Sequence, residues 1–313
     1  MKESAYALDK EYFLEKYQIR DTFKKSRLRW GTLDKIYQAY VKLKSSEEFQ
    51  KTVMDFEAYC RDIMKDSCNI HSIRCRPKDP EHLIEKIIRK RGEEQNSKYK
   101  GISYKNYNKI VRDLIGLRVL VYKKEDWEFV FDKIAEMFPG DIANAACMAE
   151  PPTAYIRYGD RDIYKDKIHL DYSNRGYRSQ HYIVRFNGVY CEIQSRTLAE
   201  EVFGEFDHIV KYPYRMDNNF LKRYTNTVSK LTDSIDEMMS TCFQLEQKGW
   251  AACDAYFDED QYCDWGNTNQ VPPASKPRKS GDKSGGNKSD SKKAIIKNLV
   301  LREEDGGSHG NGK

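Results

Sequence analysis

Through the first 65 residues apolar side chains recur at helical spacing, as in Leu33, Ile36, Tyr37, Tyr40 and Val41 and then Phe49, Val53, Phe56, Tyr59 and Cys60. That period predicts two or three helices. The pattern changes at Ile70 to Arg76, which reads as a strand, and Asp79-Pro80 opens a helix to about Arg91 with Asp as N-cap and Pro in the first turn. Gly92 to Gly101 is a charged loop, and a short helix around Tyr104 to Arg112 leads into the β-branched run Leu117-Arg-Val-Leu-Val-Tyr122, typical of a buried strand. Glu125 to Phe138 is an amphipathic helix stopped by Pro139-Gly140, while 139 to 165 shows no clear period.

The sharpest local signal is Asn187-Gly188 between two strand-like runs, Ser179 to Phe186 and Val189 to Ser195, which predicts a type I′ hairpin. A two-residue loop sets the register from Phe186/Val189 to His181/Gln194. Tyr182, Val184, Phe186, Val189, Cys191 and Ile193 then share an apolar face, and Tyr177, Ser179, His181, Arg185, Glu192 and Gln194 a polar one. A helix near Leu198 to Lys211 follows. From Leu221 a stripe runs through Tyr224, Val228, Leu231, Ile235, Met238, Cys242 and Leu245 in steps of three and four. Packing against the parent domain is the plainer reading of these heptads, and a self-associating helix the sharper one. From about Asn267 the composition is that of a disordered segment, with an apolar island at Ala294 to Leu301.

Charge narrows the picture. The chain carries a net +5, and residues 274–313 alone hold ten Lys/Arg against five Asp/Glu, so the remainder is neutral. A nucleic-acid partner would have to use a local patch or this tail. No apolar run approaches about 18 residues, and the N-terminus has no secretory apolar stretch, so a cytoplasmic protein is expected. Eight cysteines occur without a Cys-x-x-Cys pair, as reduced core thiols do, and neither thiols nor imidazoles cluster as a zinc site would require.

Four separated segments carry chemistry: Arg76-Pro77-Lys78 with Lys86; Asp113 to Arg118; Gly176-Tyr-Arg-Ser-Gln-His181; and Glu192 to Thr197. Arg76 and Lys78 precede a helix N-terminus, where free N–H groups favour anions, and His82 and Lys86 lie one turn apart on that helix. Glu192, on an interior-looking hairpin, is costly unless paired or bound to metal. With Asp113 it would form an all-oxygen site suited to Mg²⁺. Tyr177 follows a glycine and can stack on a base, with Arg175 and Arg178 within reach of phosphates.

In this order the segments resemble the synthetase domain of the RelA/SpoT family, which moves pyrophosphate from ATP to the 3′-hydroxyl of GDP or GTP to give ppGpp or pppGpp and AMP. The resemblance spans about residues 70 to 215. It implies an α+β fold with a mixed β-sheet of nucleotidyltransferase-like type flanked by helices. It further implies that Arg76 and Arg118 sandwich adenine, with Lys78 and Lys86 on the phosphates and His82 beside them. Asp113 and Glu192 become the catalytic Mg²⁺ ligands. Tyr177 stacks on the acceptor guanine, His181 and Gln194 lie in the acceptor pocket, and Arg196 and Thr197 support the Glu192 strand. The chain departs from the pattern at His82, where the family has Ser; at Gln180, where it has Leu; and at Ser173, where it has a lysine that Arg175 or Lys167 could replace.

The resulting organisation is a helical region at 1–66, the synthetase domain at 67–215, a long helix at 216–250 and a basic disordered tail at 251–313. The chain has no His-Asp dipeptide of the family's hydrolase, so the expectation is a stand-alone synthetase. Its acceptor is left open by related toxins that modify the 3′ end of tRNA or adenine nucleotides. A catalytically silent nucleotide-binding protein is the third reading, and a homo-oligomer through the 221–245 helix is the partner the stripe suggests.

Overall fold

The computed structural model describes residues 7–64, 70–92, 97–140, 144–160, 162–164, 167–173, 176–211 and 218–248. All lie within the first of two compact units, Met1–Phe257. The tail at 251–313, its 294–301 island and Arg175 lie outside the described residues.

Among the described residues four α-helices precede the first strand, rather than two or three helices: α1 (Lys10–Lys16), α2 (Arg20–Ser26), α3 (Trp30–Lys44) and α4 (Glu47–Cys60). The first two are seven residues each, too short for a period to show, and each is followed by a left-handed residue, Gln18 at φ 49° and Arg27 at φ 55°. On α3 and α4 the buried stripe is Leu33, Ile36 and Tyr40 with Phe49, Val53, Phe56 and Cys60.

β1 (Ile70–Pro77) leads into α5 (Pro80–Gly92), whose first N–H groups, from Glu81 and His82, donate to Asp79 Oδ1 at 2.9 and 3.0 Å. The predicted cap is therefore present. A four-residue α6 (Tyr107–Ile110) precedes β2 (Ile115–Val121), and α7 (Trp127–Met137) ends before Pro139. The illegible stretch holds β3 (Ala146–Met148) and β4 (Thr153–Arg157), followed by β5 (His169–Ser173). β6 (Ser179–Phe186) and β7 (Val189–Thr197) pair in the predicted register. Asn187 and Gly188 turn with φ of 47° and 81°, both positive as a type I′ turn requires. α8 (Leu198–Lys211) and α9 (Asn219–Lys248) complete the described chain.

The fold is α+β, with one mixed seven-stranded sheet in the order β1-β2-β7-β6-β4-β5 and β3 beside β6. The β2/β7 and β4/β5 pairs are parallel and the rest antiparallel. Leu117 and Val119 of β2, Cys191 and Ile193 of β7 and Tyr182 and Val184 of β6 share one face, which packs in a single core with α3, α4, α5 and α7. Strand alternation therefore sends Arg118, Glu192, Gln194 and His181 to the other face.

The long helix corrects one expectation. Its apolar stripe packs on the domain only in part: Tyr224 meets the Phe206 ring of α8 at 5.4 Å and Leu221, Val228 and Leu245 are half-buried, but Leu231, Ile235 and Met238 are 59, 51 and 68% exposed, while the polar Thr225, Ser229, Thr232, Asp236 and Ser240 are buried. No described helix is long and apolar enough to cross a membrane.

Candidate active site

One half of the candidate site, expected from the sequence to serve the donor and called here the donor half, is built where β1 ends, α5 begins and β2 is about to start. Lys78 N–H donates to Leu114 O at 2.8 Å, joining the two connections, and Tyr40 of α3 shares its hydroxyl between Lys78 O at 2.8 Å and Leu114 O at 3.3 Å. Across this junction Lys78 Nζ and Lys86 Nζ converge on Asp113 Oδ2, at 2.7 and 2.9 Å. Burial alone would raise the Asp113 carboxyl, but the two ammonium groups hold it well below the usual carboxylate range. Burial works against charge on Lys86 as well, and Asp113 first and Glu192 second keep it protonated. The other oxygen, Asp113 Oδ1, is buried with no hydrogen-bond partner. An unmet buried acceptor costs about 1–3 kcal/mol, more if charged, which is the condition a cation relieves.

Arg76 and Arg118 stand on the same face, since Arg76 pairs with Gly116 in the β1/β2 register. They differ in their bonds. Arg118 is clasped by Glu201 and Glu205 of α8, and Arg76 adds to the positive field at Glu205. His82 is half-buried, its ring edge-on to Tyr17 of α1 at 5.9 Å and to His208 of α8 at 5.3 Å. Burial is the main cause that lowers its pKa.

The other half, expected from the sequence to serve the acceptor and called here the acceptor half, lies on β6 and β7. Glu192 Oε1 is 3.1 Å from His181 Nδ1, and its Oε2 accepts from Gln194 Nε2 at 2.6 Å. Burial first and Asp113 to a lesser degree would raise this carboxyl, yet the His181 imidazole, with a still smaller contribution from Lys86, draws it down to about 2. Electrostatics thus link Glu192 to the Lys86–Asp113 pair of the donor half. The far nitrogen of His181, Nε2, is 3.0 Å from the Tyr177 hydroxyl, which accepts from Arg196 Nη2 at 2.6 Å. Arg196 also donates to Gln194 Oε1 at 2.5 Å and Glu201 Oε2 at 3.0 Å. With hydrogen on His181 Nδ1, the run Arg196–Tyr177–His181–Glu192 is hydrogen-bonded throughout. Tyr155 completes the wall, its ring 4.8 Å from His181 and 5.8 Å from Tyr177. The sequence gives no sign of Tyr155, because β4 falls in the stretch without a period.

Three acceptor expectations meet a different geometry. Arg178 does not face this pocket: strand alternation turns it behind the sheet, where it donates to Asp160 at 2.7 and 3.2 Å and lies 3.2 Å from Asp233 of α9. Lys167 is 2.5 Å from Glu128 of α7, which accounts for its charge. Ser173, in place of a lysine, accepts the Tyr177 N–H at 3.1 Å and so closes the turn that presents the tyrosine.

Asp113 and Glu192 are the carboxylates able to hold a metal. Among the described residues no group of three or more His, Cys, Asp or Glu side chains is arranged to hold a metal ion. Two carboxylates suit a hard cation that keeps water and phosphate oxygens as its other ligands. The orphaned Asp113 Oδ1 fits that use.

Residues 75–217 match the family profile described as "Region found in RelA / SpoT proteins", and this part of the chain is a RelA/SpoT-type domain. Among solved structures, the chain is similar to small alarmone synthetase 1 from Bacillus subtilis bound to its product pppGpp, at 20% identity and a TM-score of 0.45, covering 65% of this chain and 96% of that one. It is also similar to a GTP pyrophosphokinase family protein from Streptococcus pneumoniae, at 22% identity and a TM-score of 0.44, covering 79 and 97%. No curated protein matches the chain.

Proposed function

We propose that this chain transfers the terminal pyrophosphoryl group of ATP to the 3′-hydroxyl of GDP or GTP, releasing AMP. The RelA/SpoT-type domain supports pyrophosphoryl transfer in general. The finer reading rests on one observation: buried Lys86 is paired to Asp113 and is also among the charges acting on Glu192, so two carboxylates and their lysines act as one electrostatic unit.

In the proposed reaction the 3′-oxygen bonds to the β-phosphorus, the bond from that phosphorus to the α–β bridging oxygen breaks, and AMP leaves with the bridging oxygen. Such a transfer needs positioning and charge neutralisation more than covalent help. Lys78 and Lys86 would take phosphate oxygens, and Arg76 and Arg118 would flank adenine with Arg118 steadied by α8. Asp113 and Glu192 would hold Mg²⁺, which supplies neutralisation of the polyphosphate charge. A carboxyl with a pKa of about 2 stores a proton poorly at neutral pH. Glu192 is therefore better suited to ligate metal and orient the attacking hydroxyl than to act as a strong base. Tyr177 would stack on the acceptor base while Arg196 and His181 fix its hydroxyl.

The acceptor wall also favours a second reading. It offers the neighbouring rings of Tyr155 and Tyr177 with the Ser173 hydroxyl, and Arg178 is turned away to Asp160. Aromatic platforms of this sort suit an acceptor that presents a base and a 3′-hydroxyl, such as the 3′ end of tRNA.

One assay separates these readings. ATP labelled in its β-phosphate is offered GDP, GTP, ATP and tRNA together. Label is expected on the guanine nucleotides, with AMP formed, and neither Asp113→Asn nor Glu192→Gln should transfer it. Label on tRNA alone selects the second reading, and no AMP with any acceptor leaves a protein that only binds nucleotides.

A further inference from the structure

β5 is an edge strand of the sheet, and at its centre stands a carboxylate, Asp171. In the parallel β4/β5 register Thr153 lies beside His169, Tyr155 beside Asp171 and Arg157 beside Ser173. β4 in turn pairs Thr153 with His181 and Tyr155 with Ser179. Paired positions share a face, so Asp171 stands on the same side of the sheet as Tyr155, His181 and Glu192. Ser173, two residues further and on that face again, accepts the Tyr177 N–H at 3.1 Å. One short strand therefore fixes Asp171 relative to the turn that presents Tyr177.

Asp171 is exposed, and among the described residues its carboxylate makes no hydrogen bond or ion pair. It reaches the pocket electrically. Burial first and the Asp171 carboxylate second raise the pKa of the Tyr155 hydroxyl, Glu192 and Tyr177 add to this, and Lys86 opposes it. That hydroxyl thus lies in the field of the edge carboxylate and of the groups around Glu192 together. Three strand spacings separate β7 from β5, about 14 Å between backbones, and the Glu192 and Asp171 side chains both extend from that floor. The rings of Tyr155 and Tyr177, 5.8 Å apart, line the interval. A nucleoside with its 3′-hydroxyl at Glu192 and its base against Tyr177 brings the far edge of the base toward β5.

The two purines meet a carboxylate differently. Guanine turns out two neighbouring donors, N1–H and the 2-amino group, which the two oxygens of an ionised carboxylate can accept together. Adenine has one donor, its 6-amino group, beside the N1 lone pair, and an acceptor-only group repels that lone pair. Stacking on Tyr177 treats all bases alike, so the choice between them falls to the edge.

We propose that Asp171 is a specificity-determining residue of the acceptor pocket, accepting N1–H and the 2-amino group of guanine. Because it names the base of the acceptor, this rests on the function proposed above.

The test reads binding to the full chain by titration calorimetry, with the donor side filled by the α,β-methylene analogue of ATP, which cannot give up its pyrophosphoryl group. GDP is expected to bind about tenfold more tightly than inosine diphosphate, which lacks the 2-amino group, and about a hundredfold more tightly than ADP. Asp171→Ala should bring GDP and inosine diphosphate to within about twofold of each other. Asp171→Asn is the sharper variant. Its amide can donate to adenine N1 and accept from the 6-amino group, so ADP should bind about tenfold more tightly than to the wild-type chain, while GDP weakens. A merely structural role for Asp171 would not move the two nucleotides in opposite directions. The proposal is overturned by a wild-type chain that binds no GDP or binds GDP and ADP equally. It is equally overturned by an Asp171→Asn chain whose affinities for both shift by the same factor or not at all. A chain that selects GDP in this way yet moves no label from ATP keeps the role of Asp171 and loses the proposed reaction.

Discussion

The two halves of the site are held by different kinds of matter. Lys78, Lys86 and Asp113 are set by buried apolar packing, with Ile84, Ile87 and Ile88 of α5 fully enclosed and Tyr40 reaching from the same core to bond the backbone on both sides. The turn that presents Tyr177 is set from behind by ions and hydroxyls: Arg178, Asp160, Asp233 and Ser229. A close-packed apolar support has few alternative arrangements, whereas an ion network can be redrawn by single substitutions without emptying a core. The donor half is thus the conservative part of this machine. The acceptor half is the part where a change of partner costs the fold least.

The largest expected effect cuts across both halves. Glu192→Gln keeps the shape and removes the charge, and should lower transfer by about 10²–10⁴-fold, the usual range for losing a group that acts on the reacting atoms. Tyr40→Phe tests the donor support next. It strips two buried carbonyls of their shared donor and should cost about 1–3 kcal/mol in denaturant unfolding. The KM for ATP should rise and that for the acceptor stay in place. Asp233→Asn is the mirror experiment, and steady-state kinetics should show the acceptor KM raised by about threefold to tenfold with the ATP KM unmoved, as expected for about 0.7 to 1.4 kcal/mol of lost orientation. Should either variant move both constants equally, the halves are not separately held.

The smallest effect concerns pH. Burial first and the Glu200 carboxyl second push Asp236 up to about 7, against 3.8 for an ordinary aspartate. Below about pH 4 both folded and unfolded chains hold this proton. Between about 4 and 7 the folded chain retains a proton that the unfolded chain has released, so this group makes stability fall as pH rises through that window and level off above it. Asp236→Asn should flatten that slope in melting temperature measured across the window. An unaltered slope would show that the buried carboxyl is not its source.

Much of the face that carries the candidate site was legible because strand alternation and turn chemistry are local. Asn187-Gly188 fixed the register, and the register placed His181, Glu192 and Gln194 together before any fold was known. The same parity puts Arg178 behind the sheet, so its exclusion could have been read from residue numbers alone. Tyr155 was hidden for a physical reason: β4 is five residues long and surrounded by loop, too short to display a period. The facing of α9 was hidden for another. A heptad stripe says which side of a helix is apolar, but not what covers it, and here the domain has taken the polar side by offering it arginines and a lysine.

The parallel pairing of β2 with β7 has a consequence in time. It joins residues 115–121 to 191–197, and every strand from β3 to β6 lies between them in the chain. Closing so long a loop is slow relative to local helix formation. Asp113 and Glu192 therefore meet only once that closure is complete. During synthesis Lys78 and Lys86 emerge long before Glu192 exists. A partly made chain thus carries one of the two carboxylates of the candidate site without the other.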